Sequence, residues 1–354
     1  MSSGDTTSAR HHPLAQLILA RLREFCREPA AIFWVYVFPL IMVVALGVAF
    51  RNRPLEKATV AIAAGPRAEA TLTALAADPR FAPRIASESE CREQLRIGKL
   101  DLVIVAAESD AGYEYRYDPT RPGSQLARDT ANDVLQRRAG RRDAIVTRDS
   151  VFQEPGGRYI DFLVPGLLGM GLMGGGLWGV GFAIVDMRIR KLLKRYLATP
   201  MRRSDFLAGI MLSRLVFTIP EVVFLLVFSH LFFGVVNHGS HLAVGLLILL
   251  GAFQFAGIGL LVASRAETLE TVSGLMNLVM LPMWIGSGIF FSVDRFPALV
   301  QPAIRVLPLT PLIDALRRVM LEGAGLGVII PQLVLITAWG VVTFVLALRL
   351  FRWN

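Results

Sequence analysis

Few residues of this chain could do chemistry, and most of them sit inside apolar sequence. Gly169-Met170-Gly171-Leu172-Met173-Gly174 has the G-x-G-x-x-G spacing of a dinucleotide-binding turn. Such a turn follows a strand and opens a helix, whereas this one lies within an uncharged run, so a nucleotide site is not expected there. The same glycines, continued by Gly175 and Gly179, give the small-xxx-small spacings Gly171/Gly175 and Gly175/Gly179, which let helices approach closely and are expected at a dimer or pathway-lining surface. Glu221 follows Pro220 in another apolar run. A carboxylate there reads either as a functional group, for instance in an ion-coupled carrier, or as a partner for backbone groups freed by the proline. Arg214 is expected to snorkel toward an interface. His230, His238 and His241 read as interfacial histidines, and the only cysteines, Cys26 and Cys91, are expected on opposite sides of a membrane, so neither a metal site nor a disulfide is predicted. No G-x-x-x-x-G-K-[ST] phosphate loop occurs. The chain is therefore expected to carry no catalytic residue and to bind no cofactor itself.

The elements that must hold these residues follow from composition. Of 354 residues 54% are hydrophobic and only 18% charged, too few charges for an ordinary soluble domain of this length. Uncharged runs at Pro29–Phe50, Phe162–Val185, Thr271–Val293 and Gly323–Leu348 each suit one membrane-spanning helix, which needs about 20 apolar residues. The long run Val222–Ser264 is split by Asn237-His238-Gly239-Ser240 into two spans, the first beginning near Phe206. Six spans result. Pro29–Phe50 exceeds the apolar core of a cleaved signal and is read as a retained span.

The net charge of +9, from 37 Lys+Arg against 28 Asp+Glu, is concentrated in residues 186–205, which carry Arg188, Arg190, Lys191, Lys194, Arg195, Arg202 and Arg203. A basic cluster between two apolar runs is a topology signal, not a nucleic-acid footprint, and nucleic acid is not an expected partner. It places 186–205 and both termini in the cytoplasm, and the turn at 237–240 outside.

Three segments lie outside the bilayer in this reading. Within residues 1–28, Leu14, Ile18, Leu22 and Phe25 share one face of an amphipathic helix before the first span at 29–50, suited to lying in the lipid interface as an anchor or a lever. Residues 51–158 form an external insertion. Strand-like runs at Ala58–Ala64, Leu100–Ala107 and Tyr113–Tyr117 alternate there with helical stretches, giving a small α/β domain that serves as a solvated cap, a substrate gate or a docking surface for an envelope protein. Within 159–354, the loop 186–205 contains a predicted helix in which Ile189, Leu192, Leu193, Tyr196 and Leu197 recur on one face opposite the basic residues. That face suits anionic lipid or the groove of a soluble partner. Residues 294–325, cut by prolines, read as external re-entrant or interfacial helices.

The arrangement resembles the permeases of type-2 ABC exporters. The resemblance rests on the flat N-terminal helix, six spans, a basic cytoplasmic helix ending in Leu197-Ala198-Thr199-Pro200, and the stretch Arg295-Phe296-Pro297, Leu309-Thr310-Pro311 and Ile313-Asp314-Ala315-Leu316-Arg317 before the last span. The insertion after the first span is similar to the subgroup with an external domain there. Such relatives commonly carry an acidic residue before the Ala-Thr-Pro where this chain has Arg188-Ile189-Arg190-Lys191-Leu192. The resemblance implies an inner-membrane subunit that works with a second copy or paralogue and with two separate ATPase subunits, which bind the ATP and magnesium. It also implies that Arg188, Ile189, Leu192, Leu193, Arg195, Tyr196, Leu197, Thr199 and Pro200 form the ATPase contact, beside the connecting helix of Leu14, Ile18, Leu22 and Phe25. An apolar interior suits hydrophobic or amphiphilic cargo. A non-transporting scaffold that recruits envelope proteins is the alternative.

Overall fold

The structure, a computed structural model, describes residues 29–51, 57–106, 112–145, 147–148, 157–197 and 203–351, with Arg23 and Arg27 besides. Leu14, Ile18, Leu22 and Phe25 of the predicted amphipathic helix, and Thr199 and Pro200, lie outside the described residues. The chain divides into two compact units, Met1–Arg51 with Gln153–Asn354, and Asn52–Phe152.

The first unit is helical. Its opening helix α1 runs as an α-turn at Pro29–Ile32, a π-helical stretch at Phe33–Val37 and an α-helix at Phe38–Arg51. The glycine-rich helix α5 likewise has three parts, Tyr159–Gly176, a π-helical stretch Leu177–Phe182, and Ala183–Ile189. A short helix α6 (Leu192–Leu197) follows, then α7 (Arg203–Phe233), α8 (His241–Ala263), α9 (Leu269–Gly286), α10 (Gln301–Val306), α11 (Leu309–Met320) and α12 (Ile330–Leu350). Five of the described helices are long and apolar enough to cross a membrane, within Tyr159–Ile189, Gly209–Phe233, His241–Ala263, Leu269–Gly286 and Ile330–Leu350. The apolar part of α1, Phe33–Ala49, is shorter than these.

Helix α8 is the axis of this unit, packed against α12, α5 and α11. Backbone approaches backbone where side chains are missing: a Cβ on Gly176 would fall on Phe255 and Ala256 of α8, and one on Gly259 would fall on the carbonyl of Gly176. With no hydrophobic driving force between helices in lipid, contact of this closeness is what dispersion needs to hold them together. Helix α11 is buried along most of its length (Leu312, Ala315, Leu316 and Val319 are each 0% exposed) and packs on α5, α8 and α12. This helix, within the segment read as re-entrant or interfacial, is thus packed into the core of the unit.

The second unit is a four-stranded sheet in the order β2-β1-β3-β4, made of β1 (Ala58–Ala63), β2 (Phe81–Ala86), β3 (Leu102–Ala106) and β4 (Tyr113–Tyr117). β1 pairs parallel with β2 and β3, and β4 runs antiparallel to β3. Helices α2 (Ala68–Ala76) and α4 (Pro122–Arg138) cover one face through Leu75, Ala127, Ala131 and Leu135. α3 (Glu88–Arg96) covers the other through Cys91 and Leu95. Burial raises the Cys91 thiol above its ordinary pKa. Sequence reading missed β2 because Pro83 and Arg84 interrupt its pattern. Pro83 is tolerated because β2 is an edge strand, where a missing N–H costs no ladder bond.

Candidate functional site

The basic segment does not form the continuous helix its periodicity predicts. α5 ends at Ile189, where the Arg190 N–H closes on the Asp186 carbonyl at 3.0 Å and the Arg190 guanidinium pairs with the Asp186 carboxylate at 3.0 Å. Lys191 then adopts φ 59°, the left-handed region that costs a side-chain-bearing residue about 1 kcal/mol, and α6 restarts at Leu192 on a new axis. This break scatters the expected ridge. Leu193 is 1% exposed and belongs to the core, with Leu192 packed beside it, so Leu193 cannot be a partner contact. Ile189 stays 47% exposed, and Lys191, Lys194 and Arg195 face outward.

Arg188 is also reassigned. Its guanidinium donates to the carbonyls of Ala263 (2.9 Å), Ser264 (3.1 Å) and Ala266, and lies 5.4 Å from the ring centroid of Phe351. Those carbonyls end α8 and begin the turn after it. A helix's last carbonyls have no internal partner and carry the negative end of its dipole, so a cation from a neighbouring helix satisfies both. Arg188 is therefore a clamp between α5 and α8 rather than part of an exposed basic face.

Arg158 repeats the device, and Arg317 bridges the start of α5 to the chain leaving α9. Arg158, before α5, pairs with the buried Asp161 at 2.8 Å and donates to the carbonyls of Phe233 (2.8 Å) and Gly234 (3.1 Å) at the end of α7. Arg317 of α11 donates to Phe162 (3.2 Å) and Gly288, its guanidinium 3.4 Å from the Phe162 ring centroid. Gly288 has φ 81°, so the chain leaving α9 turns in a conformation open to glycine and presents its carbonyl to Arg317. Replacing Arg317 by methionine, similar in volume but without donors, is expected to lower stability by about 3 kcal/mol through orphaned buried carbonyls, read as a drop in the melting temperature of detergent-solubilised protein.

The glycine-rich face of α5 holds the second feature. Arg214 and Glu221 of α7 form an ion pair, Nη2 to Oε2 at 2.9 Å, with side chains only 8% and 11% exposed. Seven residues are two helical turns, so both groups project from one side of α7. That side lies on the glycines singled out from sequence. A Cβ on Gly171 would stand 2.7 Å from the Glu221 Oε1, one on Gly175 would collide with the Arg214 guanidinium, and one on Gly179 would stand 3.2 Å from the Arg214 Cδ. Gly171, Gly175 and Gly179 thus form a trough that seats the pair. Arg214 does not snorkel; it is buried against Gly175. Near Glu221 the helices α1, α5 and α7 leave an apolar crevice lined by Tyr36, Leu40, Leu167 and Leu225, with the Tyr36 hydroxyl donating to the Phe217 carbonyl at 3.2 Å. The carboxylate goes to the arginine and not to the proline-freed backbone. Among the histidines, His230 uses its Nδ1 on the Val235 carbonyl at 3.0 Å.

Sequence reasoning singled out these glycines and Glu221 but did not bring them together, and it missed the carbonyl contacts of all three arginines. The i, i+7 spacing of Arg214 and Glu221 was a usable signal for their pairing. Nothing in sequence pointed Arg188, Arg158 or Arg317 at carbonyls 29 to 155 residues away.

A helical bundle with several membrane-length apolar helices, charges paired inside it and a small α/β insertion is the build of a multi-pass membrane protein. Residues 29–349 match the ABC-2 family transporter protein family, and the chain belongs to it. That family is the membrane component of transporters and not itself the catalytic part. Among curated relatives, the linearmycin resistance permease protein LnrN of Bacillus subtilis is 27% identical over 174 residues, covering 49% of this chain and 45% of that one. The ABC transporter G family member 20 of Dictyostelium discoideum is 27% identical over 179 residues, 50% of this chain and 24% of the relative. The inner membrane transport permease YadH of Escherichia coli is 26% identical over 203 residues, 56% of this chain and 75% of the relative. The match therefore spans less than half the length of the first two.

Proposed function

We propose that the chain is the permease subunit of an ATP-driven exporter, acting as two copies, or one copy and a paralogue, with separate ATPase subunits that hold the ATP and magnesium. In this reading α1 is the sixth span, residues 186–205 and both termini are cytoplasmic in the inner membrane, and residues 51–158 and 294–325 are external. The observation that carries it is the surface left at the end of α5 and on α6. Ile189 at the end of α5, Lys191 at the break, and Lys194 and Arg195 on α6 are exposed, while Leu193 and the Arg188 clamp fasten the segment to the bundle. A firmly seated basic knob on a moving helix is what transmits a push from a soluble partner into the bundle. Being basic, it calls for an acidic partner surface. One relative is named as a resistance permease, which agrees with outward movement. An apolar interior with its charges paired suits hydrophobic or amphiphilic cargo.

The test is co-purification with an ATPase subunit carrying a phosphate loop. Lys194→Glu with Arg195→Glu is expected to reduce ATPase association at least tenfold, about 1.4 kcal/mol or more, while membrane insertion and melting temperature stay unchanged. Unchanged association in the double variant rejects the assignment of α6 as the contact.

A further inference from the structure

The sheet of the second unit has two edges, and they differ. β2 carries Pro83 at its middle, in register with Val60, and Arg84 next to it, so this edge lacks a donor and is blunted against further pairing. β4, at the other edge, has no proline. Among the described residues it pairs with β3 alone, leaving one side of its backbone without a strand.

The side chains of β4 alternate cleanly. Tyr113 and Tyr115 join the core under α2 and α4, where the Tyr115 hydroxyl meets Asn132 at 3.3 Å. Glu114 and Arg116 stand on the opposite face. There Arg116 pairs with Glu88 of α3 and with Glu114, each at 2.8 Å, and the Glu114 side chain remains 62% exposed. If two copies of β4 meet antiparallel about a twofold axis normal to the sheet, residues directly opposite must share a face, so their numbers must sum to an even value. With Tyr115 on the axis, Glu114 faces Arg116 of the other copy, Arg116 faces Glu114, and Tyr113 faces Tyr117, so all five residues pair. Sliding two residues in sum one way sets Glu114 against Glu114; sliding the other way sets Arg116 against Arg116. Like charges opposite one another across strands are destabilising, and opposite charges are favourable. Of these three registers, only the one centred on Tyr115 is self-complementary, and it alone pairs all five residues.

We propose that β4 is the interface through which the α/β unit joins a second copy of this chain, forming one continuous eight-stranded sheet with the order β2-β1-β3-β4-β4-β3-β1-β2. This rests on the two-copy reading above and names the surface that the second copy uses. The partner is recognised by main-chain hydrogen bonds along β4 and by a closed ring of four alternating charges, Glu114 and Arg116 from each copy.

The experiment uses full-length protein in native membranes, with two differently tagged copies co-expressed on a Cys26→Ser background; the buried Cys91 is retained. One copy carries Glu114→Cys and the other Arg116→Cys, and the membranes are mildly oxidised. Directly opposed Cβ atoms lie within disulfide reach, so this pair is expected to cross-link roughly tenfold more than Glu114→Cys with itself, which sits off the register. In a second measurement, Glu114→Arg is expected to weaken tag-to-tag co-purification, and adding Arg116→Glu is expected to restore it. Copies that co-purify yet cross-link no better at 114–116 than at 114–114 overturn the edge pairing and leave the two-copy reading intact. Cross-linking of the 114 cysteine to a different protein overturns it as well. Copies that never co-purify overturn the two-copy reading and the edge pairing together.

Discussion

Glu221→Leu should cost the folded permease about 3–5 kcal/mol, because it leaves the Arg214 guanidinium buried over Gly175 with no counter-charge. Arg214→Leu should cost a similar amount by stranding the carboxylate. The double variant Arg214→Leu/Glu221→Leu should be far milder than the sum of the two, since replacing both members of a buried pair by apolar groups avoids desolvating either charge. A companion variant probes the seat. Gly175→Leu places a branched side chain where the guanidinium lies, and adding Arg214→Ala should relieve most of its cost. Melting temperatures in detergent and folded yield from membranes read all five. Strict additivity of Arg214→Leu and Glu221→Leu would show that the two groups act independently. Transport supplies the second readout. If the stable double variant still moves cargo, the pair is a fastening between α5 and α7. If transport is lost while stability is recovered, the pair is part of the working machinery, and Glu221 recovers the functional role its position first suggested.

Arg188→Met should open the junction between α5 and α8. Three carbonyls, those of Ala263, Ser264 and Ala266, lose their donor, at about 1–3 kcal/mol for each group left buried without a replacement. Because α6 follows Arg188 directly, the α6 knob should loosen as well. Hydrogen exchange should rise in α6 and in the last turn of α8, and ATPase activity should no longer respond to permease. Arg188→Lys, which keeps the charge but not the planar fork, should fall between wild type and Met. This order separates a clamp from a partner contact. A partner contact would lose ATPase association in Arg188→Met with the melting temperature unchanged.

Much of the architecture was legible because hydropathy is a strong signal in a membrane chain. The uncharged runs, the break at Asn237-His238-Gly239-Ser240 and the start of α7 well upstream of Arg214 all have counterparts in the structure. The α/β insertion was legible from apolar strand runs, apart from β2, whose proline and arginine are allowed only by its edge position. The candidate site was legible less evenly. A stripe of glycines advertises close approach, but not what approaches: Gly171, Gly175 and Gly179 admit an ion pair, while Gly176 admits the backbone of α8. Periodicity carried Ile189, Leu192, Leu193, Tyr196 and Leu197 along one helix. The turn at Arg190 and Lys191 ends that helix, because the Asp186 carboxylate draws back the Arg190 guanidinium and the chain turns through a left-handed residue.

Residue order alone specified a polytopic, charge-poor membrane chain without a phosphate loop and with one basic segment, since each of these is a local property of hydropathy or motif. The partners of the charges were settled only in three dimensions. An arginine in an apolar chain must find an acceptor, yet the acceptors here are backbone carbonyls of neighbouring helices, most of them at or just past a helix's C-terminal end, and a carboxylate two turns away. Every helix end offers such carbonyls whatever its side chains, so no sequence pattern marks them. Which arginine reaches which helix end is decided by how the helices pack, and that packing turned Arg188 from an exposed basic residue into a clamp.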